Sequence, residues 1–244
     1  MSTRALSPAE VAASGLMARY GGLSGEELLR PLIEREFAGS IALVSSFGAE
    51  SAVLLDMVAA IDPATPVIFL NTGKLFGETL RYRTRLVERL GLTDVREVKP
   101  DPADLQRTDP DGVVWAGNPD ACCHVRKTLP LERALAGFGA WITGRKRFQG
   151  ATRAGLPVLE AADGRVKVNP LAGWSRDRLL AYLDERDLPR HPLEADGYLS
   201  IGCMPCTDRV APGEDVRAGR WRGSEKTECG IHLPLLNKSN PVGA

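Results

Sequence analysis

The sequence predicts an α/β fold, a twisted parallel sheet with helices on both faces, ending in a loop-rich C-terminal segment. Three observations carry this expectation. Strand-like runs at residues 40–46, 66–70, 94–99 and 140–143 alternate with helical patterns, the order expected of parallel strands joined by helical crossovers. The chain has 244 residues, of which 43% are hydrophobic, enough for one sizeable core and hardly for two. Beyond Pro192, glycine, proline and charge dominate and the periodicity fades.

The elements follow in order. Ser7-Pro8-Ala9-Glu10 reads as a capping box with proline at the first helical position, and Ser24-Gly25-Glu26-Glu27 reads as a second. Two helices thus precede the first strand, residues 40–46. That strand passes through Phe47-Gly48-Ala49-Glu50-Ser51 into a helix marked by Val53, Leu54, Met57 and Val58. The strand at 66–70 ends in Leu70-Asn71-Thr72-Gly73 and is followed by a helix over 79–90 and a strand over 94–99. A helix over 122–135 leads to the strand at 140–143, residues 158–170 form a hairpin turning at Asp163-Gly164, and 175–186 form a capped helix. Residues 1–195 are read as the α/β portion; residues 196–244 are a C-terminal segment of the same structural domain, partly mobile.

Composition narrows the function. The 31 basic and 31 acidic side chains cancel, which removes the bulk electrostatic case for nucleic acid or an anionic membrane as partner. Any anion site must therefore be local. No basic and apolar leader opens the sequence, and no run approaches the roughly 18 apolar residues of a membrane span. Five cysteines are too few for a disulfide scaffold in so long a chain, so a cytoplasmic, reducing location is expected. A homo-oligomer is compatible with all of this.

The cysteines divide as four plus one: Cys122-Cys123, Cys203-Met204-Pro205-Cys206, and Cys229 alone. Two distant pairs can close a tetrahedral zinc site or hold a [4Fe-4S] cluster; ordinary buried thiols are the third reading. Spacing favours the cluster. Adjacent cysteines point apart and reach separate irons more easily than one small ion. Cys229 lies in the polar stretch Ser224-Glu-Lys-Thr-Glu-Cys-Gly-Ile-His232, where Lys226 would favour a thiolate, so it reads as a nucleophile rather than a core thiol. His232 reads equally as an acid-base helper and as a structural residue.

Two loops lie at strand ends, where open α/β sheets bind ligands: Ser45-Ser46-Phe47-Gly48-Ala49-Glu50-Ser51 and Leu70-Asn71-Thr72-Gly73. Small residues there would let backbone N–H groups close on an anion, although a glycine in such a turn is more often only a tight turn. Neither a Walker A sequence nor Gly-x-Gly-x-x-Gly occurs. Basic residues collect at Arg126-Lys127, at Arg145-Lys146-Arg147 with Arg153, and at Arg209, Arg217, Arg220 and Arg222. A solvated face is the ordinary fate of such residues. Yet Lys127 stands one helical turn after Cys123, able to bridge an anionic four-thiolate site and an anionic ligand, and arginine forks suit phosphate and sulfate.

Together these features resemble the sulfonucleotide reductases, in the branch that reduces adenosine 5'-phosphosulfate (APS) in assimilatory sulfate reduction. The carriers are Ser46-Phe-Gly-Ala-Glu-Ser51, Asn71-Thr-Gly-Lys-Leu-Phe-Gly-Glu-Thr79, Cys122-Cys-His-Val-Arg-Lys127, Ile142-Thr-Gly-Arg-Lys-Arg147, Gly202-Cys-Met-Pro-Cys206 and Lys226-Thr-Glu-Cys-Gly-Ile-His232. The resemblance implies an adenine-nucleotide α-hydrolase-like fold and one [4Fe-4S] cluster on Cys122, Cys123, Cys203 and Cys206. It implies Cys229 as the catalytic nucleophile, Ser45, Ser46, Gly48, Leu70, Thr72 and Gly144 around the adenosine, and Lys127, Arg153, Arg217 and Arg220 on the anionic groups. It further implies attack of Cys229 on the sulfur of APS, a cysteine S-sulfonate, release of AMP, and discharge of sulfite by thioredoxin or glutaredoxin, serving cysteine biosynthesis. The chain departs from the ATP pyrophosphatases of this fold, which carry Ser-Gly-Gly-Lys-Asp-Ser: Phe47 and Ala49 stand where a second glycine and the lysine would be. Three alternatives remain: a reductase for 3'-phosphoadenosine 5'-phosphosulfate (PAPS), an ATP-pyrophosphatase-type thiolation enzyme, and a zinc-stapled nucleotide sensor.

Overall fold

A computed structural model describes residues 5–232. Its helices are α1 (Pro8–Tyr20), α2 (Gly25–Pro31), α3 (Ser51–Ile61), α4 (Gly77–Leu90), α5 (Pro102–Thr108), α6 (Val114–Gly117), α7 (Pro119–Cys123), α8 (Leu129–Ala134) and α9 (Arg176–Glu185). The strands are β1 (Ile41–Ser45), β2 (Val67–Leu70), β3 (Val95–Val98), β4 (Ala140–Ile142), β5 (Leu159–Ala162) and β6 (Arg165–Val168). They form one sheet in the order β3-β2-β1-β4-β6-β5, parallel except for the edge strand β5.

Side-chain alternation explains the layers. Ile41 and Leu43 of β1 and Val67 and Phe69 of β2 face the larger core, shared with α2, α3, α4 and α9. Ala42 and Ile68 face the opposite side, where Leu131 and Leu135 from the α8 end pack with Trp141. Both faces of the central strands are buried, which is why their sequences read as continuous apolar runs. β3 lies at an edge and is only half covered: Val95 packs against the larger core and Val98 against the smaller one, while Arg96 and Glu97 are exposed.

The Ser7 box forms as expected: Ser7 Oγ accepts from Glu10 N at 3.3 Å, and Ser7 N donates to Glu10 Oε2 at 2.7 Å. The Ser24 box does not. Gly25 has φ +56°, with a Cβ position 3.0 Å from the Trp174 ring, so the chain enters α2 left-handed and Ser24 makes no cap. Ser24 Oγ instead accepts from Trp174 Nε1 at 3.4 Å. The hairpin turns at Asp163 (φ 53°) and Gly164 (φ 75°), as their sequence predicts for a primed turn. Helices α5 and α6 were not read from the sequence. The predicted helix at 122–135 begins earlier and is interrupted by a π-helical turn over His124–Thr128. The C-terminal segment is loop-rich, with short 3-10 turns at Met204–Cys206 and Gly230–His232, and isolated bridges fasten Cys203 to Leu75 and Thr207 to Arg220. Residues 233–244 of that segment lie outside the described residues. No helix among the described residues is long and apolar enough to cross a membrane.

Candidate active site

From β1 the chain proceeds to β2 on one side, whereas β4 lies on the other, so the carboxyl ends of β1 and β4 bound the crevice where open sheets bind ligands. A cavity opens there, lined from the ends of β1, β2 and β4 and by the segment around Cys229. It is lined by Val44 and Ser45 from β1, Ser46 just after it, Leu70 from β2, and Thr143 with Gly144 after β4. Gly48 comes so near the chain at Ile201 that a Cβ would stand 3.1 Å from the Ile201 carbonyl oxygen. Phe47 has φ 49°, an uncommon conformation for a bulky residue, and its fully buried ring packs edge-on against Phe69 at 5.3 Å. Burial of that ring offsets the strain and keeps the loop in the left-handed turn that a glycine would otherwise provide.

Charge in the cavity is arranged by partners far apart in sequence. Lys146, buried, places Nζ 2.5 Å from Glu50 Oε2, which also accepts from Gln149 Nε2 at 2.8 Å. Arg153 forks onto Glu228, Nε to Oε2 at 2.7 Å and Nη2 to Oε1 at 2.8 Å. Arg217 approaches the same carboxylate at 3.7 Å. Burial and then the neighbouring Arg153 bring the Arg217 pKa down to about 10, the mark of a site crowded with guanidinium charge. Burial works against the charge of Glu228, but Arg153 outweighs it and the carboxyl is held below its usual range.

A second, smaller cavity adjoins the first. Cys122, Cys123, Cys203 and Cys206 all border it, beside the cations Lys74, Arg126 and Lys127. The π-helical turn that follows Cys123 widens the helix where the pair and Lys127 face this cavity. Lys127 lines both cavities. Burial disfavours its charge, yet Cys203, Cys229 and Cys123 together raise its pKa above the ordinary lysine range. Burial, reinforced by Cys203, pushes the Cys122 thiol up to about 11, and Cys206 is raised for the same reasons. Crowded buried thiols beside three cations suit a polycationic centre that replaces their protons. Among the described residues no group of three or more His, Cys, Asp or Glu stands at single-ion spacing.

Cys229 lines the large cavity, beside Lys127, which borders both. A hydrogen bond from Cys123 holds its pKa well below the usual thiol value despite burial, with Lys127, the Ile231 N–H and Lys226 adding to the effect. The structure thus brings Cys229 into one cavity with nine of the ten expected substrate contacts: Ser45, Ser46, Gly48, Leu70, Lys127, Gly144, Arg153, Arg217 and Arg220. Thr72 is the exception. It is fully buried, its Oγ1 lies 3.2 Å from Cys203 Sγ, and its carbonyl accepts from Arg126 Nη1 at 2.9 Å. His232 is a neutral imidazole, its pKa lowered by burial and then by Lys167 and other cations, and it stacks on Trp141 at 6.2 Å. It also lines the large cavity, and its backbone N–H donates to the Cys229 carbonyl at 2.9 Å. Sequence reasoning missed Glu50, Gln149, Trp141 and Glu228; only Glu228, adjacent to the lone cysteine, carried a local signal.

Comparison with known proteins gives a consistent set. The family model described as phosphoadenosine phosphosulfate reductase domain matches residues 40–209, stopping short of Arg217, Arg220 and Cys229. A protein of Mesorhizobium japonicum named adenosine 5'-phosphosulfate reductase is 55% identical over 227 residues, 93% of this chain and 89% of its own length. A protein of Gloeobacter violaceus named phosphoadenosine 5'-phosphosulfate reductase is 42% identical over 222 residues, 89% of this chain and 92% of its own. The crystal structure of a PAPS reductase from Candida auris in complex with phosphate has TM-score 0.68 and 26% identity, covering 85% of this chain and all of that one.

Proposed function

The chain belongs to the phosphoadenosine phosphosulfate reductase domain family, and from that membership we infer that it is an oxidoreductase that reduces APS to sulfite and AMP in assimilatory sulfate reduction. The observation that carries the reading is the meeting of Cys229 with Lys127, Arg217 and Arg220 in one cavity at the switch point of the sheet.

We propose the following chemistry. The strand-end loops at Ser45 and Leu70 take the adenosine, and Lys127, Arg217 and Arg220 take the phosphate and sulfate oxygens. The Cys229 thiolate attacks the sulfate sulfur; the bond from that sulfur to the bridging oxygen breaks, and its electron pair leaves with AMP. A cysteine S-sulfonate remains. The other four cysteines are set around the second cavity, so the resolving thiol comes from outside, from thioredoxin or glutaredoxin. Its thiolate attacks Cys229 Sγ and expels sulfite. Its second thiol then displaces Cys229 from the mixed disulfide, so the donor leaves oxidised by two electrons. Cys122, Cys123, Cys203 and Cys206 would hold the [4Fe-4S] cluster, which supplies fixed negative charge to orient Lys127. Five free thiols suit a reducing compartment such as the cytoplasm, and sulfite made there would serve cysteine biosynthesis.

The test is a single turnover without donor. Protein mixed with APS should release about one AMP per site and no sulfite, leaving one SO3 group on the peptide that contains Cys229. An adduct elsewhere, or sulfite without a thiol donor, sinks the mechanism. The Gloeobacter relative's name gives a second reading, reduction of PAPS. A kcat/KM favouring the 3'-phosphorylated nucleotide would decide for it.

A further inference from the structure

Arg153 belongs to the basic set expected to hold the substrate's anionic groups, yet its fork is already engaged. Nε and Nη2 donate to the two oxygens of Glu228, and Nη1 donates to Gln149 Oε1 at 2.5 Å. Arg217 and Arg220 are more loosely committed, Arg217 Nη2 to the Thr227 carbonyl and Arg220 Nε to the Cys206 carbonyl, each at 3.3 Å. Glu228 immediately precedes Cys229, and its Oε1 also accepts from Cys229 N at 2.8 Å. Both members of the Arg153–Glu228 pair are nearly buried, with side chains 7% and 12% exposed, and 75 residues separate them. A bidentate, desolvated arginine–carboxylate pair fixes position as well as energy. After Cys229 the segment is held by Ile231 against the small core and by His232 on Trp141; on the near side Lys226 pairs with Asp120, and at the residue adjoining the sulfur the anchor is Glu228.

We propose that Glu228 is a positioning residue: through its pair with Arg153 it docks the segment bearing Cys229 against the cavity wall and sets where the sulfur stands. Arg153 is then the receptor for the chain's own carboxylate, and Lys127, Arg217 and Arg220 are left for the substrate's anions. The pairing also neutralises a carboxylate that would otherwise face those anions. The proposal rests on the reading of Cys229 as nucleophile.

The experiment uses the full-length, cluster-loaded protein and the variants Glu228→Ala, Glu228→Gln and Arg153→Ala, each checked for an unchanged far-ultraviolet spectrum and iron content. Two rates are read: alkylation of Cys229 by iodoacetamide in the free protein, and AMP release in a single turnover with APS. Glu228→Ala and Arg153→Ala should each speed alkylation and slow the single turnover by at least about tenfold, the scale of a charged hydrogen bond. The double variant should be no worse than either alone. For Glu228→Ala the KM for APS should stay level or fall, since a carboxylate has left an anion site, and Glu228→Gln, which keeps the shape, should recover part of the turnover. Arg153→Ala that raises KM with kcat unchanged makes Arg153 a substrate contact and overturns the docking role. Unchanged alkylation and turnover in Glu228→Ala overturn it as well. Failure of the nucleophile reading looks different: the unmutated protein would form no adduct on Cys229, and the docking role would fall with it.

Discussion

The guanidinium of Arg220 fills the space where a side chain on Gly202 would begin: a Cβ there would stand 2.6 Å from Arg220 Cζ. Gly202 is not among the residues with positive φ, so the backbone itself would accept alanine. A Cβ there would have to push the guanidinium aside. Arg220 is held by its stack on Trp221, 4.4 Å from the ring centroid, and by the Cys206 carbonyl, and it lines the large cavity.

Gly202→Ala should therefore leave the fold intact and displace Arg220 from the anion site. We expect KM for APS to rise roughly tenfold, matching Arg220→Ala, because one charge-assisted hydrogen bond is worth about 1.5–3 kcal/mol. Combining the two substitutions should add little, and steady-state kinetics on the three variants check this.

A buried ion pair predicts a stability loss. Arg126 donates from Nε to Asp109 Oδ2 at 2.9 Å, its Nη2 to the same oxygen at 2.5 Å, and its Nη1 to the Thr72 carbonyl, with both side chains under a tenth exposed. Asp109 Oδ1 also accepts from Val114 N at 2.9 Å. Asp109→Ala leaves a buried guanidinium without its partner and should destabilise the chain by about 3–5 kcal/mol, read from the midpoint of urea unfolding.

His191 predicts a dependence of stability on pH. It is buried against the Tyr82 ring, Nε2 lies 3.1 Å from Thr79 Oγ1, and Nδ1 accepts from Leu193 N. Burial lowers its pKa to about 4, against a weak opposite pull from Glu78. The folded chain thus holds a neutral imidazole, and the unfolded chain takes up a proton first. The contribution is fully present above about pH 6.5 and is lost as pH falls toward 4, by about 2–3 kcal/mol in total. His191→Asn, which keeps an acceptor for Leu193 N, should flatten the acid limb of the unfolding curve between those pH values.

What the sequence disclosed and withheld follows from how far each interaction reaches. Ser7, Asp163-Gly164 and Ser175 act within a few residues, so their caps and turn were legible. The strand-helix alternation was legible because its pattern lies within the chain itself. Ser24 misled because Trp174, 150 residues away, sets the conformation of Gly25 and takes the serine hydroxyl. The contact of Thr72 Oγ1 with Cys203 Sγ joins residues 131 apart, which no local pattern announces. The Arg153–Glu228 and Lys146–Glu50 pairs join residues 75 and 96 apart, which spacing cannot announce.

The division of the cysteines makes the sharpest demand on the chain. Cys203 borders the small cavity with three other sulfurs, whereas Cys229 lies in the large one beside Lys127, Arg217 and Arg220. Cys203→Ser should lose iron, sulfide and brown colour together with activity, because a four-ligand centre missing one thiolate is not retained. Cys229→Ser should keep all three and still bind APS, since the strand-end loops and the cations are untouched. It should form no S-sulfonate and make no sulfite, because a serine hydroxyl is not ionised near neutral pH and the reaction needs a sulfur that a dithiol can later attack. Iron analysis, acid-labile sulfide and mass spectrometry of the C-terminal peptide separate the two variants. A colourless Cys229→Ser, or a Cys203→Ser that stays brown and active, would show that the fifth cysteine and the four had been divided wrongly.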